Sequence, residues 1–217
     1  LLGAADIRRI AADAGISPTK KFGQNFVIDP GTVRRIVREA GVTADDHVLE
    51  VGPGLGSLTL AILETGATMT AVEIDPPVAE RLPKTIAEFM PDAVDRFRVV
   101  NRDALTVNPE NLPDFKDDDS FTLVANLPYN VATPILLTLL ERFDNLGTFL
   151  VMVQKEVADR MQVGPGTKDY GALSLAVQYY ASPYIVANVP PNCFKICFSI
   201  SSGVISPSFL IMGSLIL

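Results

Sequence analysis

The sequence predicts an α/β fold with a mostly parallel sheet and helices on both of its faces. Two observations support this prediction. From Asp46 onward, short apolar runs alternate with stretches of helical periodicity. The apolar runs resemble strands that are buried on both faces, as in a parallel sheet covered by helices. The length of 217 residues suits one domain, or one domain and a fragment, at roughly 150 residues per domain.

Each element has a local signal. The first helix ends at Gly15, and Asp29 followed by Pro30 is typical of a helix N-cap with proline at the first helical position. Gly66 ends the helix that follows the first strand of the alternation. The predicted helices span 4–14, 29–41, 57–65, 77–89, 133–143, 154–161 and 172–181. The predicted strands span 47–51, 68–72, 97–100, 121–125, 148–153 and 184–189.

The last part of the chain has an unusual composition. Residues 196–217 carry no charge over 22 residues, which is long enough for a membrane span. Serine, glycine and proline interrupt this stretch throughout. We therefore expect a terminal strand or a stretch of uncertain sequence there rather than a span.

Composition excludes several classes of protein. Hydrophobic residues make up 48% and charged residues 20% of the chain, as in globular proteins. The net charge of −7 argues against a protein that coats nucleic acid by bulk charge. A single histidine and two cysteines, Cys193 and Cys197, exclude a site with two imidazoles and a cysteine-rich zinc site, so no metal is expected.

Positive charge is concentrated at the beginning of the chain. Residues 1–38 have a net charge of +4, and the remainder carries −11. This segment predicts local contact with a polyanion, and a solvated helical face is the alternative. No apolar signal core follows the basic start, so a cytoplasmic chain with a trimmed start is expected. The candidate RNA-binding residues are Arg8, Arg9, Lys20 and Lys21.

A glycine-rich turn lies between the predicted strand 47–51 and the following helix. Glycines at such a position let the backbone approach a ligand closely. The dinucleotide fingerprint needs a sixth-position glycine, where this chain has Ser57, so the spacing does not fit NAD. It fits the E-x-G-x-G-x-G turn of S-adenosylmethionine enzymes, with Glu50 in the first place. A glycine turn that serves only packing remains the alternative.

Acidic residues follow the next two strands. Glu73 lies seventeen residues after Gly56, where a carboxylate can accept from both hydroxyls of a ribose. Asp103 follows the third strand, where it can accept from the amino group of an adenine. Each could instead be a helix cap or a solvated loop residue. Ligands of open α/β sheets bind at these strand ends, which favours a nucleoside site.

The fourth strand is followed by an amide, a proline and an aromatic ring in close succession. The exocyclic amine of adenine is a weak nucleophile because its lone pair is delocalised into the ring. Hydrogen bonds from that amine to the Asn126 side chain and the Leu127 carbonyl would favour a pyramidal nitrogen. Pro128 biases Leu127 toward an extended backbone, and Tyr129 can stack on the base. These four are the candidate catalytic residues, and a simple Pro-Tyr turn is the alternative.

Six motifs occur in order: KFGQNF at 21–26, EVGPGLG at 50–56, EID at 73–75, Asp103, NLPYN at 126–130 and VQKEVA at 153–158. Together they resemble the ribosomal RNA adenine N6,N6-dimethyltransferases that act on small-subunit RNA. The resemblance covers about residues 4–194. It implies a Rossmann-like methyltransferase with a mostly parallel seven-stranded sheet. It also implies dimethylation of two adjacent adenines near the 3′ end of that RNA, in ribosome biogenesis.

The resemblance further implies a site, partners and a domain division. S-adenosylmethionine would be held at Gln24, Asn25, Val27, Gly52, Gly54, Gly56, Glu73, Ile74, Asp103, Ala104 and Asn126. The partners would be small-subunit rRNA and the immature small subunit, and the protein would act as a monomer. Residues 1–45 would form basic helices and a loop over the cofactor, and residues 46–194 would form the methyltransferase core. Residues 195–217 would form an apolar tail. This tail departs from the family, whose members continue into a small helical domain. The alternatives are a large-subunit rRNA dimethyltransferase that confers antibiotic resistance and a non-catalytic ribosome-assembly factor.

Overall fold

The computed structural model describes residues 1–15, 26–27, 29–116, 119–127, 131–189, 194–195 and 208–215. The helices are α1 Ala4–Asp13, α2 Pro30–Glu39, α3 Ser57–Glu64, α4 Pro76–Phe89, α5 Ala132–Arg142, α6 Lys155–Gln162 and α7 Ala172–Tyr180. The strands are β1 Phe26–Val27, β2 His47–Val51, β3 Thr68–Glu73, β4 Phe97–Asn101, β5 Phe121–Asn126, β6 Leu146–Gln154, β7 Ala181–Val189, β8 Phe194–Lys195 and β9 Ser208–Leu215.

The main sheet has the strand order β4-β3-β2-β5-β6-β9-β7. The first five of these strands pair in parallel. β9 is antiparallel to both of its neighbours, β6 and β7. The predicted α/β fold with a largely parallel sheet is therefore confirmed, but parallel pairing joins five strands and not all seven. β1 and β8 form a separate antiparallel pair.

Helices cover both faces of the sheet, as predicted. The side chains of β2 alternate between two cores: Val48 belongs to one hydrophobic cluster and Leu49 to the other. The first cluster contains residues of α1 to α4, and the second contains residues of α5 to α7. The chain between β4 and β5 also joins the second cluster, through Phe115 among others. β2, β3, β5 and β6 are thus largely buried on both sides, whereas β4, at the edge of the sheet, is only partly buried.

The local signals in the sequence have the expected structural effect. The Asp29 side chain accepts a hydrogen bond from the Thr32 backbone N–H at 2.7 Å, so Asp29 caps α2. Pro30 occupies the first helical position. Gly15, Gly41 and Gly66 follow α1, α2 and α3 with φ of 62°, 69° and 97°. These caps place the helix ends within about one residue of the prediction.

The uncharged tail contributes a strand. β9 lies between β6 and β7, with Gln154 opposite Ser208 and Thr148 opposite Ser214. The expected terminal strand therefore lies in the interior of the main sheet. An interior strand needs uncharged residues on both faces, which accounts for the composition. Among the helices that the structure describes, none is long and apolar enough to cross a membrane.

Candidate functional site

Four neighbouring strands bring the predicted site residues to one edge of the sheet. β4, β3, β2 and β5 are adjacent and parallel, so their carboxyl ends lie side by side. The registers align Val51 with Val72 and Glu73 with Asn101. The glycine turn, Glu73, Asp103 and Asn126 each end or follow one of these strands. Ligands of open α/β sheets bind at this edge.

The glycine turn has the backbone that its sequence predicts. Gly52, Gly54 and Gly56 have φ of 69°, 56° and 98°. At Gly56 an added Cβ would also lie 2.9 Å from Leu82 Cδ1, so both conformation and packing require glycine. The turn leads directly into α3, for which Gly56 is the N-cap residue. It therefore brings the unpaired N–H groups of the first helical turn to the edge of the site.

Glu73 carries a buried carboxylate oxygen that lacks a partner. The side chain is 2% exposed, and Oε1 accepts from the Asp75 backbone N–H at 2.9 Å. No hydrogen-bond donor to Oε2 is found among the described residues. Burial raises the pKa of Glu73, and the backbone N–H groups of Asp75 and Gly54 oppose this rise. A buried acceptor without a donor costs roughly 1–3 kcal/mol, so this oxygen fits a ligand that carries hydroxyl donors.

The strand next to Glu73 holds its backbone in place. The Glu73 carbonyl accepts from the Asn101 side-chain amide at 2.8 Å and from the Arg102 backbone N–H at 2.9 Å. Sequence reasoning missed Asn101, because its partner lies 28 residues earlier in the chain. Ile74 follows with 47% of its surface exposed. An apolar surface thus adjoins the carboxylate, as the ring of a nucleoside requires.

A second carboxylate is buried beside the first. Glu50 is 1% exposed and accepts a hydrogen bond from the Thr59 hydroxyl at 2.7 Å. Burial raises the pKa of Glu50 to about 8; the Thr59 hydrogen bond lowers it, and the nearby Glu73 raises it. Glu50 is therefore mostly protonated at neutral pH, so Glu73 has a neutral neighbour. Thr59 was missed, and its only signal is a hydroxyl within the otherwise apolar run 58–63.

Asp103 begins a short turn after β4. It caps the 3₁₀ helix Ala104–Thr106, and its Oδ1 accepts from the Leu105 backbone N–H at 2.9 Å. The cap occupies Oδ1 and does not use Oδ2. Ala104 is 6% exposed and packs into the second hydrophobic cluster. Asp103 is thus the cap of this helix at the end of the strand, and its role as an acceptor for an adenine amine stays a prediction.

Asn126 and Leu127 lie at the end of β5. Asn126 is its last residue, opposite Met152 of β6, and its side chain is partly buried. The Leu127 side chain is 1% exposed in the second hydrophobic cluster, which fixes the end of β5 in the core. Pro128 and Tyr129 lie outside the described residues, as do Lys20, Lys21, Gln24 and Asn25. Val27 is in β1, opposite Phe194, and its side chain is not described.

The two arginines of α1 differ in their surroundings. The Arg9 guanidinium donates to Glu88 of α4 and lies 3.6 Å from Asp13. Glu88 also pairs with Arg81 at 3.2 Å, so Arg9 is part of an ion-pair network. Arg8 is exposed, and no ion pair is found for it in the described part of the chain. The charge of Arg9 is already balanced within the protein.

Comparisons with known proteins agree with this geometry. The chain is 88% identical over 194 residues to "Ribosomal RNA small subunit methyltransferase A" of Bifidobacterium adolescentis, which covers 89% of this chain and 64% of that protein. It is 49% identical to the protein of the same name from Corynebacterium diphtheriae, over 94% of this chain and 68% of the relative. The chain thus spans slightly less than two thirds of the length of the first relative.

A solved structure of similar fold is the crystal structure of the 23S rRNA methyltransferase ErmE. It superposes with a TM-score of 0.68 and 26% identity, covering 88% of this chain and 70% of ErmE. The family model described as "Ribosomal RNA adenine dimethylase" matches residues 17–206. That match includes the glycine turn, both buried carboxylates and the segment after β5. The chain therefore belongs to the ribosomal RNA adenine dimethylase family.

Proposed function

We propose that this chain dimethylates the N6 amines of two adjacent adenines near the 3′ end of small-subunit rRNA, with S-adenosylmethionine as methyl donor. The buried Glu73 Oε2 beside the glycine turn carries the proposal, because no described residue donates to it and it offers an acceptor to a ligand at the expected place. Family membership and relatives named as small-subunit methyltransferases support the choice of substrate.

The cofactor would be held at the edge of the four strands. Glu73 would accept from the ribose hydroxyls, Ile74 would pack against the nucleoside, and Asp103 would accept from the adenine amine, with Ala104 beside it. The turn with Gly52, Gly54 and Gly56 would approach the remainder of the cofactor through its backbone. Bound there, S-adenosylmethionine supplies an electrophilic methyl group on a positively charged sulfur. Gln24, Asn25 and Val27 belong to the segment that we expect to cover it.

The residues from Asn126 to Tyr129 would orient the target amine. Its two hydrogens would be donated to the Asn126 side-chain oxygen and the Leu127 carbonyl, which favours a pyramidal nitrogen. Because Leu127 is anchored in the core, its carbonyl is held in a fixed position. Pro128 restricts the backbone, and Tyr129 would stack on the extruded base. Proton loss follows methylation, so no side chain of high pKa is needed to remove the proton first.

The RNA would be gripped outside this pocket. Arg8, Lys20 and Lys21 are proposed to contact phosphates, and Arg9 to contribute less because Glu88 already neutralises it. Residues 1–45 would then cover the core on the side at which the RNA binds. We propose that the protein works as a cytoplasmic monomer on the immature small subunit.

The test is transfer of labelled methyl groups from S-adenosylmethionine. Immature small subunits, mature small subunits and large-subunit RNA are the three substrates, and primer extension maps the modified adenines. We expect label at two adjacent adenines of the immature small subunit. Label in large-subunit RNA instead would assign the function to that substrate. Binding of small subunits with no transfer to any substrate would identify an assembly factor.

A further inference from the structure

Arg142, the last residue of α5, is tied to the loop that follows β4. Its Nη1 donates to the Leu105 carbonyl at 3.0 Å and to the Val107 carbonyl at 2.9 Å. The carbonyl between them, on Thr106, accepts from the Asn111 side-chain amide at 3.0 Å. Three successive carbonyls of this loop are therefore held by side chains from elsewhere in the chain.

Those carbonyls belong to the turn that orients Asp103. The turn is a single 3₁₀ unit, Ala104–Thr106, and so short a helix has little stability of its own. Asp103 holds its beginning, because its Oδ1 accepts from the Leu105 N–H and its carbonyl accepts from the Thr106 hydroxyl. Leu105 is thus bound on both sides: its N–H by Asp103 and its C=O by Arg142.

We propose that Arg142 is a positioning residue for adenine recognition. By holding the carbonyls of Leu105 and Val107, it keeps the turn in the shape that aims the Asp103 carboxylate at the exocyclic amine of the cofactor adenine. A guanidinium suits this task because it is always charged and presents several N–H donors in a rigid plane. This inference rests on the proposed function, in which Asp103 accepts from that amine.

The chain offers a matched control. Arg96 also donates through Nη1 to two backbone carbonyls, those of Leu63 at 3.3 Å and Ala67 at 2.7 Å. Leu63 is in the last turn of α3 and Ala67 immediately precedes β3, at the end of the sheet opposite the candidate site. Arg96 is also the less exposed of the two arginines. Its removal therefore disturbs the fold at least as much without touching the Asp103 turn.

The experiment measures the affinity of two probes by calorimetry. S-adenosylhomocysteine carries the exocyclic amine, and S-inosylhomocysteine carries a carbonyl oxygen in its place. Wild type, Arg142→Met, Arg142→Lys and Arg96→Met are compared, with the thermal midpoint of each recorded. We expect Arg142→Met to lower the preference for the adenosyl probe about three- to tenfold, the range of one or two lost hydrogen bonds. Arg142→Lys should restore part of it, and Arg96→Met should retain the wild-type preference.

Three results would overturn the proposal, and they have two different consequences for the cofactor assignment. If Arg142→Met keeps the wild-type preference, or if Arg96→Met loses as much, Arg142 does not position Asp103, while the cofactor assignment stands. If wild type binds neither probe, the proposed cofactor and this inference fall together. The thermal midpoints show whether a variant has lost affinity because it is unfolded. Arg142→Lys tests the same position with a second substitution.

Discussion

Two carboxylates that contact the same strand, β3, have opposite surroundings: Glu73 ends the strand, and Asp114 reaches it from the 3₁₀ helix Pro113–Phe115. Asp114 lies toward the amino-terminal ends of the strands, where its Oδ2 accepts from the Thr70 hydroxyl at 2.9 Å. Arg98 Nη1 donates to its two oxygens at 2.8 and 3.0 Å. Glu73, at the carboxyl end of β3, has one oxygen bound to backbone and one without a partner among the described residues.

The difference separates a structural carboxylate from a functional one. The protein itself satisfies both Asp114 oxygens, so a ligand would add nothing there. At Glu73 no donor to the buried Oε2 is found in the described part of the chain, which leaves this acceptor open to a ligand, and the nearby Glu50 is buried as well. Such unsatisfied groups lower stability and persist where they serve binding. Predictions that contrast the two ends of the sheet test this interpretation.

The largest effect is expected at Glu50. Its pKa is raised from 4.5 to about 8 in the folded protein. Its contribution to stability is therefore complete below pH 4.5 and is lost as the pH rises through 8, on the order of 5 kcal/mol in total. Glu50→Gln should remove this pH dependence, measured as the free energy of unfolding between pH 5 and 9.

Thr59→Val sharpens that prediction. The Thr59 hydroxyl lowers the pKa of Glu50, so its loss should raise that pKa further; the decline still begins near pH 4.5 but should extend to higher pH. An Asp114→Asn variant serves as the control at the other end and should keep the wild-type decline. An unchanged decline in Glu50→Gln would mean that another group titrates.

The next effect is on catalysis. Asn126→Ala should lower the single-turnover methylation rate by about 10²-fold or more, because a small misplacement of the reacting amine has a large cost. Cofactor affinity should fall less, since Asn126 is one of several proposed contacts. Asn145→Ala is the matched control: its amide holds the carbonyls of Phe115 and Asp119 at the opposite end of the sheet. It should lower the thermal midpoint and leave the rate of folded protein intact; a near-normal rate in Asn126→Ala would refute the assignment.

Cofactor affinity is expected to change somewhat less. Glu73→Ala should weaken S-adenosylmethionine about ten- to a hundredfold, the range for a lost charge-assisted hydrogen bond of 1.5–3 kcal/mol. Asp114→Ala should lower the thermal midpoint and leave the affinity unchanged, both measured by calorimetry. Equal affinities in Glu73→Ala and wild type would show that Glu73 does not bind the cofactor, so that the two carboxylates would not differ in function.

The smallest effect concerns the surface arginines. Arg8→Ala should reduce the salt slope of RNA binding by about 0.7–0.9, as expected for one phosphate contact. Arg9→Ala should reduce it less, because Arg9 already pairs with Glu88 and Asp13. The measurement is RNA affinity against salt concentration for both variants. Identical salt slopes in wild type, Arg8→Ala and Arg9→Ala would indicate that α1 presents only a solvated face.

Local features of the sequence predicted the elements and the positions of most candidate site residues at the strand ends. The glycine turn was predictable because positive φ values favour glycine, and the glycines stand in the sequence where the turn needs them. The close approach of Leu82 to Gly56 adds a packing reason that only the structure shows. Glu73, Asp103 and Asn126 were predictable because each follows an apolar strand, and parallel strands end at one edge. These rules act over a few residues, so the sequence displays them directly.

The tertiary structure alone decided which distant groups meet. β9 lies between β6 and β7 because it pairs with both strands, whereas the tail by itself indicated a terminal strand without its place in the sheet. Asn101 holds a carbonyl 28 residues away, and Arg142 holds carbonyls 35 and 37 residues away. Protonation of Glu50 likewise arises from burial that no local pattern specifies. The sequence by itself determined the α/β fold and the chemistry of the strand ends, because these follow from short-range periodicity and turn geometry. The partners that orient those groups depend on how the chain packs, and only the folded molecule brings them within hydrogen-bond distance.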